Sequence, residues 1–83
     1  MIFTVYILFS ASSNVYYKGF TTDIIIRLAK HLDGKSAYTS KSKDWVLVYT
    51  HEFENKSDAL KEEKRLKKLN RLSIEKLILS KKV

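Results

Sequence analysis

"NVYYKGFTTDIIIRLAKH", residues 14–31, changes hydrophobic period partway along. Its first half is aromatic and β-branched, the composition of a strand. From Asp23 onward apolar residues recur at helical spacing, predicting a helix over about 23–33 that Gly34 ends. Thr22 reads as its N-cap, and Asp23 suits the positive end of the helix dipole. Ile24, Ile25, Leu28 and Leu32 supply the apolar surface, while Arg27 and His31, four residues apart, project from one face. A strand that runs straight into an amphipathic helix calls for a sheet with helices packed on it.

Upstream, residues 2–9 are equally strand-like, and "SASS" between the two runs suits a hairpin. Pairing Phe9 with Asn14 sets Leu8 opposite Val15 and Tyr6 opposite Tyr17, both phenols on one face. Downstream, "GKSAYTSKSKD" (34–44) is polar and basic and reads as a loop. "WVLVYTHEF" (45–53) has the composition of a third strand. Ser57 can cap a helix reaching about 69, and Ile74, Leu77 and Ile78 fall at helical spacing in a last helix over about 73–80. The order β-β-α-β-α-α predicts an α+β fold, a three-stranded antiparallel sheet flanked by helices.

The chain has 83 residues, enough for one domain over 1–83. A domain of that size buries only about 60% of its unfolded surface, so its site is expected on an open face. Sixteen Lys and Arg against nine Asp and Glu leave a formal +7, with a pI near 9.7. That balance favours a polyanionic partner such as DNA, RNA or an acidic membrane surface, and it also serves solubility. There are no cysteines, which excludes a disulfide framework and thiolate metal sites and makes the cytosol the default compartment. The opening "MIFTVYILFSASS" lacks the basic segment of a secretory leader, and Thr4 breaks its short apolar run, so it reads as a buried strand. No stretch approaches the roughly 20 apolar residues of a membrane span. Neither a membrane nor a small-molecule cofactor is expected.

Five ordered motifs carry a resemblance: "VYI" (5–7), "YYKG" (16–19), "RLAKH" (27–31), "YT" before "WVLVY", and "DALKEEKRLKK" (58–68). Together they resemble the GIY-YIG nuclease family, and its small stand-alone members most closely, over nearly the whole chain. The resemblance implies hydrolysis of DNA phosphodiester bonds with one divalent metal, Mg²⁺ or Mn²⁺. It also implies that Tyr6 and Tyr17 are the tyrosines of the first and second motifs, one helping to activate the attacking water. Gly19 matches the second motif's glycine, and Arg27 the arginine that holds the scissile phosphate. His31 falls where many members carry histidine, and Glu63 matches the single metal-binding glutamate.

Those residue types suit the chemistry. Phosphodiester hydrolysis needs an oriented water, neutralised phosphate oxygens and a stabilised leaving group. Arg27 offers a forked donor for phosphate. A single carboxylate suffices for Mg²⁺, which keeps several waters and takes phosphate oxygens as ligands. A phenol ionises near pH 10, so a neighbouring positive charge must favour its phenolate, and whether Tyr6 or His31 takes the proton stays open. Each feature also has a plainer account: strand tyrosines usually pack in cores, and a helical Arg and His pair usually faces solvent. Glu63 shares a helical stripe with Ala59 and Leu66, while Glu62 sits nearer its edge; motif spacing favours Glu63.

Lys18, Lys41, Lys43, Lys64 and Lys67 are the expected DNA contacts, the last two within a basic helical run that extends from Lys61 to Arg71. Strand alternation points Lys18 away from Tyr17, toward DNA on the opposite face or toward solvent. Asn70 supports the site or closes the helix. Lys18 departs from the family's usual apolar residue, Asp44 stands where many relatives have proline, and the separate DNA-targeting domain of larger family nucleases is not expected. A second reading is therefore a nucleic-acid-binding module of the same fold with weak or no turnover. A purely structural interaction domain is a third, and it predicts no salt-sensitive DNA binding.

Overall fold

β1 (Phe3–Ser10) lies at the centre of a three-stranded antiparallel sheet ordered β2-β1-β3, with β2 (Val15–Thr21) and β3 (Trp45–Phe53) at the edges. The structure is a computed structural model and describes residues 1–34 and 39–81. Helix α1 (Ile24–Leu32) follows β2, and α2 (Lys56–Lys68) and α3 (Arg71–Lys81) follow β3. The α+β class and the order β-β-α-β-α-α are those expected. Of the 34–44 stretch, residues 35–38 lie outside the described residues, and Thr39–Lys41 form a short 3₁₀ turn where a loop was expected.

Alternation along β1 divides the molecule into two apolar layers. Val5 and Ile7 enter one layer with Tyr49, Ala59, Leu66, Ile74 and Ile78, so α2 and α3 cover that face. Tyr6 and Leu8 enter the other with Trp45, against which Ile24 and Leu28 of α1 pack. Val5, Ile7, Leu8 and Leu66 are completely buried, each stabilising the fold by about 1.5–3 kcal/mol relative to exposure. A β-bulge lets β3 serve both layers. Ile7 pairs with Tyr49 but Leu8 pairs with Leu47, leaving Val48 as the extra residue. Trp45 and Leu47 therefore face α1 while Tyr49 faces α2 and α3, although all three are odd-numbered.

The hairpin register differs from the expected one by two. Tyr6 pairs with Gly19 and Leu8 with Tyr17, because Ser10 stays in β1 and closes the hairpin against Val15. Asn14 completes the turn at φ 57°, a left-handed conformation that asparagine tolerates. A shift of two preserves parity, so Tyr6 and Tyr17 still share a face, diagonally rather than directly opposed.

Helix boundaries also move. Asp23, not Thr22, is the N-cap of α1, accepting the N–H of Ile26 at 3.1 Å. Gly34 follows the helix at φ 73° and donates its N–H to the His31 carbonyl, so it ends α1 as expected. Asn55, not Ser57, caps α2 through the N–H of Asp58. Asn70 closes onto α3 by accepting the Ser73 N–H, so α3 begins earlier than 73. Ile25 is 79% exposed and Leu32 41%, against expectation. The inward stripe is Ile24, Arg27, Leu28 and His31, at helical spacings of 3, 4 and 7, which turns Ile25 and Leu32 outward. Among the described residues no helix is long and apolar enough to cross a membrane.

Candidate active site

Tyr6 sits in mid-strand at the sheet centre, and its ring leans over Gly19, its partner on β2. A Cβ on residue 19 would lie 2.7 Å from the Tyr6 hydroxyl oxygen and 3.3 Å from the Tyr17 ring. Only a residue without a side chain lets both phenols occupy this face. Arg27 and His31 reach it from above because the Asp23 cap aims the inward stripe of α1 at the sheet.

The four side chains form one connected cluster. The Tyr6 hydroxyl lies 2.9 Å from His31 Nε2 and accepts a 3.4 Å bond from Arg27 Nε. Arg27 also hydrogen-bonds Tyr17. The Tyr17 ring meets His31 edge-on at 5.0 Å between centroids, and the two tyrosine rings are 6.3 Å apart. His31 is completely buried and Tyr6 nearly so. Burial therefore pushes the Tyr6 phenol above its ordinary value, opposed by the Arg27 hydrogen bond and reinforced by the charges of Tyr17 and Glu63. Burial, and then the Arg27 charge, push His31 below its ordinary value, so the imidazole is neutral at neutral pH.

Glu63 joins the cluster electrostatically: its carboxylate is near enough to Tyr6 to oppose ionisation of the phenol. Its side chain is 15% exposed and pairs with Lys67 at 3.6 Å, one helical turn on. Glu62 points elsewhere. Arg65 donates to it twice, at 2.6 and 2.9 Å, and Tyr49 donates to it at 3.2 Å, with His51 Nδ1 3.4 Å away. This second polar cluster belongs to the α2 and α3 face, and there burial, with the Glu62 charge, pushes the Tyr49 phenol up to about 12. Among the described residues no three acidic, histidine or cysteine side chains converge as a protein-only metal cage. A single carboxylate near the Tyr6 phenol, that of Glu63, fits Mg²⁺ or Mn²⁺, hard cations that accept one carboxylate when waters and phosphate oxygens complete the shell.

The expected DNA contacts are dispersed. Lys41 and Lys43 are exposed around the 3₁₀ turn, and Lys64 is exposed on α2. Lys67 is engaged by Glu63, and Lys18 lies on the α2 and α3 face, where alternation placed it. Two ties were not anticipated. Asp44 accepts hydrogen bonds from Ser10 Oγ at 2.7 Å, Ser12 Oγ at 2.9 Å and Ser12 N at 2.8 Å, closing the hairpin end against β3. Ser13 and Ser42 hydroxyls bond beside it. Arg71 donates to the Asn14 carbonyl and side chain, tying α3 to the turn. A serine-rich turn and a lone aspartate before a strand were the signal for the first; the second crosses 57 positions and has no local signature.

A family model described as the GIY-YIG catalytic domain matches residues 2–77. A UPF0213 protein of Halobacterium salinarum is 40% identical over 67 residues, 80% of this chain and 87% of that protein. A UPF0213 protein of Listeria monocytogenes is 41% identical over 61 residues, 72% of this chain and 68% of its own length. The solution NMR structure of a UPF0213 protein from Bacillus halodurans matches 98% of this chain and 86% of that one, with a TM-score of 0.64 at 36% identity.

Proposed function

The chain belongs to the GIY-YIG catalytic domain family, and from that premise we propose that it is a metal-dependent DNA endonuclease. In this reading it hydrolyses phosphodiester bonds in structured or single-strand-containing DNA with one divalent ion, Mg²⁺ or Mn²⁺. The observation that supports it most is the Tyr6 hydroxyl held between His31 Nε2 at 2.9 Å and Arg27 Nε at 3.4 Å.

That arrangement supplies a path for a proton. With Arg27 donating to the phenol oxygen, the phenol hydrogen is directed at His31 Nε2, and the imidazole carries its own proton on Nδ1. As water attacks phosphorus, its proton passes to the Tyr6 oxygen while the phenol proton moves to His31. The hydroxide forms the new P–O bond, the leaving P–O bond breaks with its electron pair on the departing sugar oxygen, which takes a proton from solvent, and the attacking water's proton resides on the imidazole. The depressed proton affinity of His31 keeps it ready to accept at neutral pH. A phosphate drawn to Arg27 adds negative charge nearby and favours the imidazolium as it forms. Arg27, steadied between two phenols, keeps its remaining N–H donors for that phosphate. Glu63 would hold the divalent ion, which when bound would neutralise phosphate oxygens and acidify water.

The test is incubation with duplex, flap, branched and single-stranded DNA with Mg²⁺ or Mn²⁺. Metal-dependent cleavage of at least one is expected. Tight binding to all with cleavage of none would sink this reading and leave the non-catalytic binding module.

A further inference from the structure

Lys18 has no part in the cluster just described, and its surroundings suggest what it does. A groove of about 260 Å³ runs between β2 and α3, lined by Asn14, Tyr16, Lys18, Leu69, Arg71 and Ile74. Two of these residues are cationic and none is acidic. Lys18 forms no ion pair with a described residue. Arg71 is fixed in place: it donates to Asn14 at 2.9 and 2.6 Å and lies over the Tyr16 ring at 5.3 Å. Tyr16 is itself steadied by Phe9, with ring centroids 4.8 Å apart. A guanidinium held this way presents its charge with little further ordering cost. Glu75, beside Tyr16 in the adjoining hollow, bounds the path on that side.

The groove's position is as telling as its charge. β2 is an edge strand, and Tyr17 and Lys18 are successive residues on its opposite faces. A flexible strand leaving the Tyr17 side has only this edge to cross, a path on the order of 10 Å, to reach Lys18 and Arg71. Duplex DNA, with a persistence length of about 150 bp, cannot make that turn.

We propose that this groove is a second phosphate-binding subsite, which takes the single-stranded DNA tail that leaves the candidate active site over the β2 edge. The proposal rests on the nuclease reading for its starting point. Its test is nonetheless separate from that reading. Metal-free affinity is measured for duplexes carrying single-stranded tails of increasing length, over a range of salt concentrations. In the wild type, affinity rises once the tail is long enough to cross the edge. In Lys18→Glu and Lys18→Gln that gain disappears, and the log–log salt slope falls by about 0.7, the contribution of one single-strand phosphate. Lys56→Glu, the same charge change at the start of α2, keeps the gain. A tail-length gain that survives in both Lys18 variants, or no gain in the wild type, overturns the subsite. A gain with no cleavage of any DNA leaves the subsite standing and removes the nuclease reading instead.

Discussion

Replacing Gly19 by alanine brings a methyl group to 2.7 Å from the Tyr6 hydroxyl, and the ring must swing away because β2 cannot retreat from β1. The expected outcome is a folded protein with kcat reduced about 100-fold, since a misplacement of order 1 Å costs that much; circular dichroism and single-turnover cleavage separate the two effects. The adjacent glutamates differ just as sharply. Glu63→Gln should abolish cleavage at every Mg²⁺ concentration while the protein stays folded. Glu62→Gln should cleave like wild type but lose about 1 kcal/mol in urea unfolding, because it weakens charged bonds to Arg65 and Tyr49. If the phenotypes are reversed, the metal belongs to Glu62. The His31 imidazole must be neutral to accept a proton, and burial holds its titration below the ordinary value near 6.5. Cleavage should thus persist into mildly acidic solution and fall only below that range in a pH profile of kcat/KM, and the residual activity of His31→Gln should lack that acidic limb.

Asn55 begins the helix that carries Glu63, and its side chain accepts the Asp58 N–H at 2.8 Å. Asn55→Ala should cost about 1 kcal/mol, read as a lower urea midpoint at unchanged m-value. The three strands and three α-helices were legible in the sequence from their composition and apolar spacing, and the helix starts were not, because several residues compete as caps. Thr22, Asp23 and Ser57 are all good cap residues; backbone geometry alone selects Asp23 and Asn55. Convergence of Tyr6, Tyr17, Arg27 and His31 was legible through parity and the four-residue helical step. The ring of Tyr6 over Gly19 was not, since it depends on a register set by Ser10 and a left-handed Asn14. Nothing local announces the bulge at Val48, and yet the two apolar layers depend on it. Deleting Val48 should exchange the faces of either Trp45 and Leu47 or Tyr49 and leave no cooperative thermal transition.

With a formal charge of +7, the molecule should bind DNA with an affinity that falls steeply with salt, by a log–log slope of about −0.9 per neutralised duplex phosphate. An affinity flat from low to physiological salt contradicts that. Acid should act on the same body in two stages. His31 titrates lower when folded than unfolded, so its contribution is complete above the unfolded value and lost as pH falls through the folded one. The Ser10 and Ser12 hydrogen bonds lower Asp44 from 3.8 to about 2, so the hairpin clasp is fully stabilising above about pH 4 and lost as pH falls toward 2. Asp44→Asn should flatten only the lower stage in acid unfolding followed by circular dichroism. The central place of β1 has one more consequence, which concerns synthesis rather than stability. β1 precedes everything that covers it, and its Val5 and Ile7 meet their last partners only at Ile74 and Ile78. At about 5–20 residues per second, the ribosome leaves that apolar face bare for several seconds. Slowing translation between residues 54 and 70 with rare codons should thus divert nascent chains into chaperone-bound or aggregated forms, measured by chaperone co-purification against the unslowed gene.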